Sequence, residues 1–599
     1  MSRARTVFTL LEEAATRQPD APALHQPQGS KQGYHTYTWQ SFHDISKEIA
    51  CGLAEFGLNK GDIVALSSET RAEFYFADFA IMGAGGISAA LYTNYPPPQL
   101  IETLRAATAK FVFVDTPKSL RSLFAAGAQE LGVKWFLLTG QAPEAVSLDD
   151  LRAAGRAALH RDPSLFTRTN SQIAKSDYAI LYLTSGATGE PKMGLVTHGA
   201  LVANVDIGIE AVGLTPDEIM LAFLPSAHIA QRIGIELFGT RVGLPTYFSE
   251  GLSRLPHEMQ SVRPSVFLAP PRVWERIYSS ICTEIKKRGP ATQRLFWGAL
   301  GLSLKAAQLR ANGKSVPPWM RSLLALADKL VFTKLRERFG GRMRLPVSGA
   351  APLGKDLAQF YEAIGMPIVE GYGLTEGGIT TLNPVDAPKP GSIGRMFPAV
   401  KWKITEDGEL CLGGPTLFSG YFNDPATTAQ VLRDGWLHTG DIASVDEKGF
   451  FYITGRKKEM IVSSNGKKIY PARIEGLLKM EPLISQMILI GDRRPYVSAL
   501  FTLNVPAAES LKGMEDMKGR ALADLANAAP VQAELKKAVA RANKQLASFE
   551  QVRKFRILDR DFTIEHGELT ATMKVRRTRV LENFHNVVAE LYVGKDETD

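Results

Sequence analysis

A glycine-rich loop that ends in a lysine is the first group of residues that could do chemistry. The segment Thr184-Ser-Gly-Ala-Thr-Gly-Glu-Pro-Lys192 follows the apolar run Tyr178–Thr184, which predicts a buried strand. Small hydroxyl residues and glycines let backbone N–H groups approach an anion closely, and Lys192 adds a positive charge. The loop therefore predicts a phosphate-binding site, although an ordinary polar connection has a similar composition.

This loop does not fit the P-loop of nucleoside triphosphatases. Lys192 lies six residues after Gly186, as the lysine of a P-loop does, but Pro191 replaces the required glycine and Met193 replaces the required Ser or Thr. The segment has neither the glycine that shapes that cradle nor the hydroxyl that binds magnesium there. The P-loop interpretation is therefore rejected.

Four further motifs follow the loop along the chain. They are Gly371-Tyr-Gly-Leu-Thr-Glu376, Trp436-Leu-His-Thr-Gly-Asp441, Gly455-Arg456 with Ser464-Asn-Gly-Lys-Lys-Ile-Tyr-Pro471, and Gly567-Glu-Leu-Thr-Ala-Thr-Met-Lys574-Val-Arg-Arg577. Together with Tyr182–Lys192 and the following Thr197-His198, this set resembles the adenylate-forming acyl-CoA synthetases. That superfamily also includes luciferases and the adenylation domains of peptide synthetases.

The resemblance implies a nucleotide site that binds ATP. In the family, Thr375 contacts the α-phosphate, and Lys574 stabilises the charge that develops as a carboxylate attacks this phosphate. A Mg²⁺ ion is implied at Glu376 and Thr184, since one carboxylate plus nucleotide phosphates suits this cation. The other residues implied to bind the nucleotide are Ser185, Gly186, Thr188, Gly189, Lys192, Gly349, Ala350, Gly371, Tyr372 (against adenine), and Asp441 and Arg456 (at the ribose).

Two residues are implied to serve a second half-reaction with CoA. Lys458 occupies the family's hinge position, about which a small C-terminal domain rotates. The loop at Gly466 would then enter the site and let the pantetheine arm pass close to its backbone. Asn465-Gly466 also fits a simple hairpin turn, and both interpretations can hold.

The acid is predicted to carry a long acyl chain. Gly373 lies where acetate-activating relatives carry a tryptophan, so an acyl tunnel could remain open there. The segment Arg263–Glu275 and a helical insertion that ends near Phe332 resemble the long-chain branch. His228, in Leu224-Pro-Ser-Ala-His228, is a candidate for positioning the carboxylate, with a purely structural histidine as the alternative; His198 is assigned a structural role.

Alternating strands and helices must position these residues. Short apolar runs such as Ile219–Leu224, Ser265–Leu268 and Met343–Val347 predict buried strands of largely parallel sheets. Phe450–Thr454 and Met460–Ser463 are predicted to pair around Gly455–Glu459. We expect a large α/β N-terminal domain, 1–454, with layered subdomains and a small β subdomain, and a smaller mobile α+β C-terminal domain, 455–599, with its hinge near Lys458.

Composition supports a globular enzyme for anionic small molecules. The 599 residues carry 70 Lys+Arg and 62 Asp+Glu, a mild and dispersed excess that gives no indication of nucleic-acid binding. Three widely spaced cysteines, Cys51, Cys282 and Cys411, exclude a disulfide framework and a cysteine-rich zinc site. We expect a cytoplasmic protein, with peripheral contact at the inner face of a membrane left open. The sequence gives no indication of the oligomeric state.

The predicted function is that of an AMP-forming acid–thiol ligase. A fatty acid, ATP and CoA would be its small-molecule substrates. An acyl-AMP ligase that loads a carrier protein, and a synthetase for an aryl or branched acid, share the nucleotide motifs and remain alternatives. A non-catalytic fatty-acid-binding protein should have lost Lys574 or Glu376, and both are present.

Overall fold

The computed structural model describes residues 5–29, 33–185, 191–570 and 573–593. The side chains of Thr184, Ser185 and Pro191 are not part of this description, although the strands that contain these residues are.

Two large mixed sheets form the N-terminal part of the described chain. Their inner strands are continuous apolar runs, such as Phe111–Val114, that are buried along their whole length. One sheet has the order Arg395–Met396, Gly378–Leu382, Val369–Leu374, Leu345–Ser348, Val266–Ala269, Met220–Ala222, Thr246–Phe248, Pro22–Pro27, Tyr34–Thr38. The other has the order Gly420–Tyr421, Pro191–Thr197, Tyr178–Ser185, Ile87–Ala90, Ile63–Ser67, Phe111–Val114, Lys134–Leu137, Val146–Ser147.

A smaller antiparallel sheet follows. Its strands are Lys401–Ile404, Glu409–Gly413, Trp436–Val445, Leu432–Arg433 and, paired with Trp436–Val445, Phe451–Arg456. The predicted pairing of Phe450–Thr454 with Met460–Ser463 is wrong. Phe451–Arg456 pairs with the earlier strand Trp436–Val445, and Ile461–Val462 pairs with Lys468–Ile469. The short 3-10 turn Lys457–Glu459 lies between the two pairs and separates two sheets instead of closing one hairpin.

The C-terminal part is a compact α+β unit with its own apolar core. Its three-stranded sheet consists of Ile484–Ile490, Val497–Leu503 and Val552–Ile557. The core packs residues such as Ile474, Phe501 and Leu535, and none of the described residues before Ile461 belongs to it. The predicted architecture, a large α/β part with a small β sheet followed by a smaller α+β part, is confirmed.

Helices cover the sheets and also form the helical insertion that ends near Phe332. The α-helices are Val7–Arg17, Trp39–Glu55, Ala72–Gly83, Pro97–Ala106, Pro117–Ala125, Leu148–Arg161, Leu165–Ser171, His198–Val212, Ile229–Gln231, Phe238–Val242, Leu255–Val262, Pro271–Lys286, Pro290–Ala311, Pro318–Ala327, Thr333–Glu337, Lys355–Ala363, Pro425–Val431, Pro471–Leu478, Val505–Glu509, Leu522–Asn527, Ala529–Asn543, Arg577–Asn583 and His585–Leu591. π-Helical turns occupy Arg232–Leu237 and Asp328–Phe332. Within the described ranges, no helix is both long and apolar enough to cross a membrane.

Candidate active site

Lys192 and Glu376 are brought together by a tyrosine that the sequence analysis did not single out. The Tyr421 hydroxyl donates a hydrogen bond to Oε1 of Glu376 over 2.6 Å. The Lys192 ammonium lies 5.2 Å from the centre of the Tyr421 ring. Strand pairing fixes this arrangement, because Tyr421 is in register with Gly194, two residues after Lys192. A methyl group of Thr375 lies close to Gly194 as well.

Part of the predicted phosphate loop cannot be placed. Gly186, Thr188 and Gly189 lie outside the described residues, and so do the side chains of Thr184 and Ser185. Their predicted contacts with phosphate and Mg²⁺ therefore stay predictions. The flanking strands, Tyr178–Ser185 and Pro191–Thr197, pair with each other and bring both ends of the loop together.

Tyr372, Asp441 and Arg456 form a connected polar group. The Tyr372 hydroxyl donates to one carboxylate oxygen of Asp441 over 2.6 Å, and Nε of Arg456 donates to the other over 3.0 Å. The Asp441 side chain is nearly buried, whereas that of Arg456 is half exposed. Each carboxylate oxygen retains a further lone pair, so this group can still accept hydrogen bonds from a diol.

The backbone around Asp441 is held by its own sheet. Asp441 lies in register with Arg456 across the antiparallel pair, which explains why the two side chains meet. Thr439 accepts a hydrogen bond from the Asp441 amide and donates one to the Leu410 carbonyl. Oε1 of Glu409 accepts from the Gly440 amide over 2.9 Å, and Glu409 also binds Lys457 in the turn that follows Arg456. The turn after Arg456 is therefore tied to the Asp441 loop.

The loop that contains Gly349 and Ala350 lies beside the Tyr372 strand. A Cβ at Gly349 would lie 3.7 Å from the Gly371 carbonyl oxygen. Ala350 has φ of +69°, a left-handed conformation that is unfavourable for alanine and is found mostly where function or packing imposes it. Below this loop, the buried Glu370 carboxyl accepts from the Leu353 amide, and burial raises the pKa of Glu370 to about 8.

Lys574 projects from a turn that is anchored on both sides. Before the turn, Glu568 forms a bidentate ion pair with Arg560 at 2.6 and 2.7 Å. After it, Arg577 pairs with Glu475 at 2.5 Å. Within it, Thr570 donates its amide hydrogen to the Lys574 carbonyl and accepts from the Lys574 amide through its hydroxyl. The described residues on both sides of the turn are therefore attached to the C-terminal unit.

The Lys574 ammonium faces the nucleotide residues of the N-terminal part. Its side chain remains open to solvent but faces a cleft walled by protein. The restricted hydration there, and next the positive charge of Arg456, lower the pKa of Lys574 to about 8, while Asp441 and Glu376 oppose the shift. Residues that are more than 100 positions apart thus converge on one cleft.

His228 lies on the same cleft. Its Nδ1 accepts a hydrogen bond from the Ala230 amide over 3.1 Å, at the start of a short helix. Burial, and then the charge of Lys574, lower the pKa of His228 to about 3. A neutral imidazole that accepts at Nδ1 carries its proton on Nε2, which is then available to donate. His198, in contrast, is buried and accepts from the Val7 amide, which fits the structural role assigned to it.

Gly373 is expected to keep an acyl tunnel open because it lacks a side chain, and the structure shows a second constraint on this position. A Cβ at this position would lie 2.5 Å from the Gly378 carbonyl oxygen and 2.9 Å from the Ile379 Cα. Both atoms belong to the strand that pairs with Gly373. Glycine is required here for close approach of two backbones, and a larger residue would displace the hairpin before it could narrow a tunnel.

Lys458 and Gly466 are both exposed in this domain orientation. Lys458 is exposed in the turn between the two parts of the chain. Gly466 is exposed in the loop of the hairpin Ile461–Val462/Lys468–Ile469, with φ of +76° and no atom within 4 Å of an added Cβ. The structure thus brings Lys574, and not Gly466, to the nucleotide residues.

A specific contact between the two parts accompanies this orientation. Arg272, near the start of the helix Pro271–Lys286, donates from Nη1 and Nη2 to the side-chain oxygen of Gln486 at 2.6 and 3.1 Å, in the amide orientation that satisfies both residues. Asp561 also stabilises the Arg272 charge. Asp561 itself is held by hydrogen bonds from Ser485 and Thr502.

Neighbouring groups extend this interface. Glu275, one turn after Arg272, faces the charge of Lys479 from the C-terminal part. Met480 packs against the apolar cluster around Trp274. The resemblance of Arg263–Glu275 to the long-chain branch implies no role for the charged residues of this segment. No spacing rule could have found their partners, which lie about 200 positions later.

Comparisons with known proteins find related families for both parts of the chain. The family model "AMP-binding enzyme" matches residues 11–422, and "AMP-binding enzyme C-terminal domain" matches residues 458–596. The long-chain-fatty-acid–CoA ligase FadD15 of Mycobacterium bovis is 35% identical over 91% of this chain and 90% of its own. The peroxisomal long chain acyl-CoA synthetase 7 of Arabidopsis thaliana is 30% identical over 93% of this chain and 82% of its own.

A solved structure has the same fold. The adenylation domain of a carboxylate reductase from Mycobacterium chelonae superposes with a TM-score of 0.74 at 22% identity, covering 98% of this chain and 91% of that one. The predicted fold class of the adenylate-forming enzymes is thereby confirmed. With a family model that covers most of the chain and relatives aligned over nearly its whole length, the chain belongs to the family of AMP-binding enzymes.

Proposed function

We propose that this chain is an AMP-forming acyl-CoA synthetase that activates a long-chain fatty acid with ATP and transfers the acyl group to CoA. The observation that carries the proposal is the hydrogen-bonded group Tyr372–Asp441–Arg456, with Lys574 near enough to Arg456, Asp441 and Glu376 for their charges to act on it. A cation, a carboxylate and a diol acceptor in one place are what an acyl-adenylation site requires. The names of the relatives support the choice of acid and of thiol.

In the first half-reaction, the fatty-acid carboxylate attacks the α-phosphorus of ATP, an acyl-adenylate forms and pyrophosphate leaves. Asp441 and Arg456 hold the ribose and Tyr372 lies against adenine. Lys574 stabilises the negative charge that develops between the carboxylate and the α-phosphate. His228, neutral and protonated on Nε2, donates a hydrogen bond to the carboxylate and orients it.

Glu376 is a suitable ligand for a magnesium ion bound with the nucleotide. Tyr421 occupies only Oε1, and the side chain is partly exposed to the cleft, so Oε2 can coordinate a hard cation. When bound, Mg²⁺ would neutralise phosphate charge during displacement. Thr184 is proposed as a further ligand on the strength of the motif alone.

In the second half-reaction, the C-terminal domain rotates about Lys458, near the proposed boundary between 1–454 and 455–599. Lys574 leaves the cleft and the Gly466 loop enters it. The CoA sulfur then attacks the acyl carbonyl carbon, the C–O bond to AMP breaks, and the thiol proton passes to solvent. One site can thus serve two reactions in sequence.

The test is product formation from a panel of acids. Purified protein is incubated with ATP, MgCl₂, CoA and acids from acetate to stearate, together with aryl acids, and both AMP and the thioester are measured. We expect thioester formation to be highest with long-chain acids and absent without ATP. Pyrophosphate release with accumulated acyl-adenylate, but without any CoA thioester, would instead favour a carrier-protein acceptor.

A further inference from the structure

An exposed apolar stripe lies on the segment Pro318–Phe332, the last part of the helical insertion that ends near Phe332. Thirteen large apolar side chains are exposed in the described residues, and six of them fall between Leu295 and Leu330. Single exposed apolar residues are ordinary, whereas a cluster indicates a contact surface. Four of the six have the spacing i, i+4, i+7 and i+11, which places them on one face of the segment Pro318–Phe332: Trp319, Leu323, Leu326 and Leu330.

The adjacent face of this helix is already occupied. Met320 is buried with Ala306 and Val316, against the neighbouring helix Pro290–Ala311. The helix Pro318–Ala327 therefore has two adjacent apolar faces, and only one of them packs on protein. The second apolar face of such a helix requires a partner that covers it.

The charge of the same region identifies the chemistry of that partner. Residues 286–332 contain nine Lys or Arg and one acidic residue, Asp328, a surplus of eight that equals the net charge of the whole chain. Asp328 is already paired with Arg336 at 2.7 Å. Within the described part of the chain, Arg294, Lys305 and Lys329 form no ion pair.

We propose that this surface, Trp319, Leu323, Leu326 and Leu330 with the surrounding basic residues, docks the protein on an anionic lipid bilayer. The apolar stripe enters the boundary between headgroups and acyl chains, and the basic side chains reach the phosphates. Tryptophan at the end of the stripe suits this boundary. A second copy of the chain fits less well, because two surfaces of this charge would repel each other. The inference rests on the proposed function for its purpose, since long-chain acids partition into bilayers.

The experiment measures vesicle binding without any reaction. Wild-type protein is sedimented with vesicles of phosphatidylcholine alone and of phosphatidylcholine with phosphatidylglycerol, at low and high salt. We expect binding to the anionic vesicles that weakens with salt. The variant Trp319→Gln/Leu323→Gln/Leu326→Gln/Leu330→Gln should bind about tenfold or more weakly. Lys305→Gln/Lys329→Gln should lose about fivefold for each charge removed.

A matched control distinguishes the surface from general hydrophobicity. Leu252→Gln/Val593→Gln removes two apolar side chains elsewhere that are both more exposed than Leu323, Leu326 or Leu330, and it should bind as wild type does. The proposal would be overturned if the wild-type protein did not bind anionic vesicles, or if the stripe variants bound them with unchanged affinity. So would a dimer in sedimentation velocity that the stripe variants abolish. Thioester formation from a soluble short acid without vesicles is assayed in parallel, so failure of the proposed activity is recognised separately.

Discussion

Arg272 is expected to act on adenylation and not on thioester formation. Its guanidinium holds Gln486 in the orientation that presents Lys574 to the nucleotide residues. If the C-terminal domain rotates between half-reactions, this contact must break. The variant Arg272→Ala should therefore disfavour one orientation and leave the other unaffected.

The size of the effect follows from the contact. A hydrogen bond to a charged group contributes about 1.5–3 kcal/mol net, and here the alternative for both groups is water. A shift of this size changes the ratio of the two orientations by about 10- to 100-fold. Adenylation should fall by up to this factor, because only one orientation contains Lys574 in the cleft. Arg272→Lys keeps the charge but loses the paired donors, so its adenylation rate should lie between those of the wild type and Arg272→Ala.

Two assays separate the half-reactions. Single-turnover pyrophosphate release with palmitate reports adenylation, and thioester formation from synthetic palmitoyl-adenylate and CoA reports transfer. Arg276→Ala is the matched control, since Arg276 lies one turn further on the same helix, is exposed, and makes no hydrogen bond within the described residues. A double-mutant cycle with Gln486→Ala should show that the two losses are not additive.

Two results would refute this reasoning. Equal losses in both assays with an unchanged melting temperature would mean that Arg272 does not distinguish the orientations. Full retention of pyrophosphate release would mean that the contact does not limit adenylation. A lowered melting temperature for Arg272→Ala alone would indicate damage to the N-terminal part, and Gln486→Ala then provides the same test from the other side.

Four further predictions concern the cleft and its surroundings. Lys574→Ala should lower adenylation by about 10²–10³-fold and spare thioester formation from acyl-adenylate. Because a charged lysine is needed, kcat/KM for adenylation by the wild type should decline as pH rises through about 8. Lys574→Arg should remove this decline. Glu376→Gln should raise the Mg²⁺ concentration needed for half-maximal adenylation, and an unchanged titration would contradict the metal role. Burial raises the pKa of Glu370 to about 8, so the folded state retains a proton that the unfolded state releases near pH 4.5. The free energy of unfolding should therefore fall as pH rises between these values, by about 1.4 kcal/mol per pH unit at most. Urea melts at several pH values should show this decline for the wild type and not for Glu370→Gln. Lys458→Pro should retain pyrophosphate release and lose transfer to CoA, and equal retention of both would exclude a pivot there.

Much of the site could be predicted because its functional residues lie in short, contiguous sequence motifs. The strand Tyr178–Ser185 is visible as an apolar run, and the Asp441 and Glu376 motifs combine turn residues with one functional side chain each. Pairings between distant segments were harder. Phe450–Thr454 and Met460–Ser463 are equally apolar neighbours, and only the complete sheet reveals that each has another partner.

Gly373 and Tyr421 illustrate two further limits. The type of residue at Gly373 was noticed, but the direction in which its missing side chain would point depends on the register of the opposite strand. Tyr421 belongs to a two-residue strand and gains its contact with Glu376 only when that strand joins Gly194. Packing between segments determines both, and local sequence carries little information about it.

The position of Arg456 links nucleotide binding to domain motion. Arg456 is the last residue of its strand, directly before the turn that contains Lys458, and Lys457 ties that turn to Asp407 and Glu409. On the proposed assignment, the same strand end holds the ribose and supports the pivot. Nucleotide affinity and domain orientation are then thermodynamically coupled, and this coupling is reciprocal. If ATP and AMP differ in their preference for the two orientations, a substitution that favours one orientation should shift their relative affinities in the same direction.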